Sequence, residues 1–117
     1  MEPEGVKMQS KWVQVGSVRR FDHVKPDKAQ ALKVLEEAAE VFSAWEDIGR
    51  IGLVHGAFSL REVEDKLLDE CADVIQATLN LVAALGVEDF RPYMKECERR
   101  NRERGRITDG KVMADDF

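Results

Sequence analysis

The chain has 117 residues, with 18 Lys and Arg against 23 Asp and Glu and a formal net charge of −5. That balance argues against a general nucleic-acid polymer binder, which needs a basic face, and no apolar run approaches the ~20 residues that span a bilayer. Cys71 and Cys97 lack the CxxC spacing of a cysteine metal site. With no stretch that reads as a signal peptide, they make a reducing cytoplasm the expected location.

The length suits one domain burying roughly two-thirds of its unfolded surface. Residues 1–26 form an N-terminal segment of unassigned structure: Trp12, Val13 and Val15 alternate weakly like a strand, and Gly16 and Ser17 interrupt any helix. Arg19 and Arg20 suit a phosphate but read first as a solvated pair. His23 and His55 read as surface histidines.

A helical domain over 27–104 follows. Pro26 bars earlier helix, Asp27 is a fitting N-cap and Gln30 completes a capping box, so helix one runs to about Ile48. Gly49, Gly52 and Gly56 then break the chain, with a loop over Arg50 to Phe58. Ser59 and Glu62 open helix two, which ends at Leu85 before Gly86 as C′ residue. Its Val74 to Leu85 stretch is so apolar that other helices must cover it, which calls for oligomerisation. Helix three starts near Asp89, tolerates Pro92 in its first turn, and recurs at Phe90, Met94, Cys97 and Asn101 as a buried face. Lys95 and the arginines from Arg99 to Arg106 make its end basic, which suits the helix dipole. Gly105 opens a tail over 105–117.

Two stretches place carboxylates where a core helix has leucine. At 100° per residue, Lys33, Glu36, Glu37, Glu40 and Asp47 gather into one sector of helix one, with apolar residues on both flanks. In helix two, Glu70 falls among Val63, Leu67, Val74, Ala77 and Leu81, while Asp73 borders the polar stripe of Lys66, Asp69, Gln76 and Asn80. Desolvating an unpartnered carboxylate costs several kcal/mol, so facing acids need a cation. Carboxylates three apart lie ~4.5 Å apart along a helix axis. Hard oxygen ligands without His or Cys point to Mg2+ or Mn2+. A single ExxE is commonly a solvated face. Two such pairs within apolar sectors favour a metal site over structural ion pairs.

Glu37-x-x-Glu40 and Glu70-x-x-Asp73, within KVLEEAAEVFSAW and LLDECADVIQATLNL, resemble the signature of the MazG-like, all-alpha nucleoside triphosphate pyrophosphohydrolases. The resemblance covers Asp27 to Leu85. It implies an all-α helical bundle with an antiparallel helix pair completed by oligomerisation into dimers or tetramers. It also implies Mg2+-dependent hydrolysis of a (deoxy)nucleoside triphosphate to monophosphate and pyrophosphate, a house-cleaning activity. It makes Glu37, Glu40, Glu70 and Asp73 the metal ligands, with Glu37 and Glu36 assigned to catalysis and Glu36 assisting the water. Lys33 and, further down the chain, Lys95, Asn101 and Arg104 would contact substrate phosphates. The gap between the acidic pairs is long for that family, and its usual first helix is hard to find before Pro26. Trp45 offers a base-stacking platform, although its angle on an apolar flank makes core packing the stronger account. The alternative is a non-enzymatic oligomeric helical interaction protein whose acidic helices pair with the arginines of helix three across subunits.

Overall fold

The structure, a computed structural model, describes residues 11–51 and 60–108. Three helices form, α1 (Lys28–Ile51), α2 (Leu60–Ala84) and α3 (Arg91–Glu103), with no strand among the described residues. The fold is all-α, and no described helix is long and apolar enough to cross a membrane. The expected loop at 52–58, the Ser59 cap, His55 and the tail from 109 lie outside the described residues.

Local chemistry accounts for each helix end. Asp27 Oδ1 accepts from Gln30 N at 2.9 Å, as a capping residue should, whereas Gln30 Oε1 reaches past Asp27 to Lys25 N at 3.3 Å. The Asp27 N–H is instead taken by Lys25 O at 2.9 Å. Removing this cap should cost about 1 kcal/mol. Asp27→Ala is therefore expected to lower the urea midpoint while Asp27→Asn holds it, and equal midpoints would place the start of α1 under tertiary control.

At its far end α1 continues past the expected Ile48 to Ile51, carrying Gly49 inside the helix, with the Asp47–Arg50 pair at 2.7 Å across the last turn. α2 ends in a Schellman motif: Val87 N bonds to Val82 O at 3.3 Å and Gly86 N to Ala83 O at 2.9 Å. That motif places the C′ residue in the left-handed region, and Gly86 has φ +84°. Gly105 closes α3 in the same manner. At the start of α3 the guanidinium and then the backbone N–H of Arg91 hold the Asp89 carboxyl down to about 2.

α1 and α2 pack on each other, and α3 packs on neither. A 24-residue helix is about 36 Å long, and the eight residues between α1 and α2 extend to no more than about 30 Å. The pair is therefore antiparallel. Ala44 and Ala77 are buried on it. Small side chains let helix axes approach closely.

Much of the expected core is in the open. Trp45 is 58 % exposed, which overturns its expected role in core packing, and Leu32, Leu35 and Phe42 are exposed as well. Phe90, Cys97 and Asn101 are only half-buried, and Met94 is exposed, because neither of the other described helices packs on α3. The exposed residues follow a pattern. Leu35, Ala38, Phe42 and Trp45 recur at steps of three, four and three along α1, and Leu68, Ala72 and Ile75 at four and three along α2. Half-buried Leu79 and Val82 continue the second row. Alternating threes and fours are the spacing of a helix–helix seam. On α1 this seam turns about 100° or more away from Ala44, hence from the side that meets α2.

Candidate metal centre

The antiparallel pairing puts the middle of α1 beside the first half of α2. One carboxylate oxygen each from Glu37, Glu70 and Asp73 then lie within 4.8 Å of one another. The Glu37 and Glu70 side chains are 17 % and 14 % exposed, while Asp73 stands at the exposed rim. Glu40, the fourth acid expected there, is exposed and outside this group of three. Because α1 and α2 run in opposite directions, moving one turn beyond Glu37 leads back along α2 toward Lys66, and the Glu40 charge acts on both Lys33 and Lys66.

Two lysines hold the cluster. Lys33 Nζ lies 3.2 Å from Glu37 Oε1, and Lys66 Nζ 3.1 Å from Glu70 Oε1. Glu37 and Glu70 thus each have a lysine four residues before them. Lys N-terminal to Glu is the weaker orientation for an isolated helix, so helix stability alone is a poor reason for the repeated arrangement. The acids raise both lysines above their ordinary range: Lys33 through the Glu37 hydrogen bond and charge, then Glu36; Lys66 through the Glu70 hydrogen bond and charge, with Glu40 and Asp69 adding less. Sequence reasoning placed Lys66 only on a polar stripe. The repeated K-x-x-x-E spacing was the signal that identifies it.

The donor set suits a hard divalent cation. All three donors are carboxylate oxygens, the ligands Mg2+ and Mn2+ favour. The three oxygens lie near enough together for one ion to draw on all of them. Three protein ligands leave positions for water and phosphate oxygens, as is usual for Mg2+ sites.

The remaining expected site residues are not brought here. Glu36 is exposed and reaches the cluster only through its charge on Lys33. Lys95 and Asn101 lie on α3 and Arg104 at its C-cap, on a helix that touches neither α1 nor α2. Asn101 is engaged locally: its Nδ2 donates to Cys97 O at 3.0 Å, and its Oδ1 accepts from Arg106 Nη1 at 3.2 Å. Comparison of the chain with protein-family models, with curated proteins and with solved structures finds no match.

Proposed function

We propose that the protein is a Mg2+-dependent nucleoside triphosphate pyrophosphohydrolase, as the MazG-like spacing implies, with Mn2+ as the substitute metal. The observation that carries this is the convergence of Glu37, Glu70 and Asp73 from two antiparallel helices. These three would hold the cation, and Glu40 at the rim is a further carboxylate within the same field. A divalent ion there supplies neutralisation of phosphate charge and acidification of water.

The chain's own residues do the rest. Lys33 and Lys66, displaced from Glu37 and Glu70 when a cation takes those oxygens, remain at the rim as ammonium groups able to meet phosphate oxygens. Glu36 and Glu40, exposed and outside the cluster, are the carboxylates free to accept a proton from the water that attacks phosphorus. Cleavage of the α–β anhydride then yields monophosphate and pyrophosphate. The exposed rows of apolar residues on α1 and α2 support assembly of two or four copies into a bundle, which is also where Lys95, Asn101 and Arg104 of one copy would approach the site of another.

A titration of melting temperature with MgCl2 tests the metal, and a screen of nucleoside triphosphates for pyrophosphate release tests the chemistry. Binding to the folded state alone stabilises by about 2.7 kcal/mol at a hundredfold excess over Kd, roughly 10 °C for a domain of this size. No Mg2+ shift together with no release from any triphosphate would reject the reading.

A further inference from the structure

The segment before α1 is tied across α2. Gln76 Nε2 donates to Arg19 O at 3.0 Å, and Phe21 N donates to Asn80 Oδ1 at 3.0 Å. Gln76 Nε2 also donates to Asn80 Oδ1 at 3.0 Å, coupling the two contacts. Asn80 is 2 % exposed. A buried amide is costly unless it is hydrogen-bonded, and here its oxygen is spent on holding a segment 59 residues away in sequence. The two amide side chains therefore tie down the backbone at both Arg19 and Phe21.

The place where this strap is tied matters. Gln76 follows Asp73 by three residues, ~4.5 Å along the axis, and Asp73, Gln76 and Asn80 share one stripe of α2. The strap thus borders the carboxylate cluster on the side of Asp73. It carries Arg19 and Arg20, both exposed. Arg19 Nη2 pairs with Asp22 Oδ1 at 3.1 Å, and Arg20 Nη1 donates to Phe21 O at 2.8 Å and Asp22 O at 3.2 Å. These are exposed contacts within the strap, of the kind that contribute little and that phosphate oxygens replace readily. Arg19 and Arg20 thus add to the ammonium groups of Lys33 and Lys66, whereas the arginines of α3 lie on a helix that does not pack on the pair within this chain.

We propose that residues 18–22 form one wall of the substrate pocket, with Arg19 and Arg20 binding the phosphate chain of a nucleoside triphosphate and Gln76 and Asn80 acting as positioning residues for that wall. This rests on the pyrophosphohydrolase reading. The test compares steady-state kinetics of the full chain with those of Arg19→Ala/Arg20→Ala, Gln76→Leu and Arg91→Ala, the last removing a single arginine charge on α3. The double variant should raise KM roughly tenfold or more with a much smaller change in kcat and an unaltered Mg2+ melting shift. Gln76→Leu should raise KM in the same direction with both arginines present, and Arg91→Ala should leave both constants unchanged. An unchanged KM in the double variant, with pyrophosphate release intact, overturns the strap and leaves the hydrolase standing. Absence of release by the unmodified chain overturns both.

Discussion

Glu70→Gln is expected to abolish Mg2+-dependent pyrophosphate release while leaving the metal-free protein at least as stable as before. Glutamine keeps the shape of the side chain and removes both a charge and a strong ligand for a hard cation. Loss of groups that merely orient metal ligands costs about 10- to 100-fold, so loss of a ligand should cost about 100-fold or more. The stability half of the expectation follows from two opposing terms. The substitution gives up the Lys66–Glu70 pair, made between helical neighbours four apart with the lysine well exposed, and such solvent-screened pairs contribute little. It also relieves repulsion from Glu37 and Asp73, whose oxygens lie within 4.8 Å. At that separation two like charges repel by about 1 kcal/mol even at the dielectric constant of water. Relief outweighs loss, and a melt in EDTA should show an equal or higher transition. A buried ion-pair role makes the opposite demand, since stripping one partner from a buried pair costs roughly 3 to 5 kcal/mol. Early melting in EDTA combined with an undiminished Mg2+ response would therefore end the metal-site reading. Glu40→Gln is a graded comparison: Glu40 lies outside the group of three, so its loss should reduce activity while sparing most of the Mg2+ shift.

Phe42→Glu should convert an oligomer to a monomer. Phe42 is 63 % exposed, as is Leu68, and each belongs to a row of apolar residues spaced like a helix–helix seam. Burying a side chain of this size stabilises by about 1.5 to 3 kcal/mol. In a two-fold symmetric assembly every substitution occurs twice, so the expected loss is about 3 to 6 kcal/mol, a rise in the dissociation constant of more than about 100-fold. Light scattering at micromolar concentration should give a dimer or tetramer for the unmodified chain and a monomer for the variant. The melting temperature of the unmodified chain should also climb with protein concentration, as linkage to assembly requires, and that of Phe42→Glu should not. A monomeric mass for the unmodified chain, or an unchanged mass for the variant, would leave the exposed rows to some other partner.

The sequence was sufficient for features governed by neighbours within a few residues. Asp27 and Gln30 mark the start of α1, and Gly86 and Gly105 mark the ends of α2 and α3, because capping depends on local hydrogen bonds and on φ. The spacing of Glu37, Glu70 and Asp73 was legible for the same reason: helical periodicity alone puts an acid at each of those angles. What periodicity cannot supply is which apolar flank a helix buries. α1 has two, and only the packed pair shows that α2 takes the side of Ala44 and leaves Leu35, Phe42 and Trp45 in the open. Tertiary structure likewise decided that Glu40 stands outside the three-oxygen group, since the antiparallel register carries it past Glu70 toward Lys66. It alone revealed that the segment around Arg19 to Phe21, with no helical or strand signal of its own, is held in place by Gln76 and Asn80. A strap with no backbone-to-backbone hydrogen bonds of its own leaves no periodic trace, because it is held by side chains nearly sixty residues away.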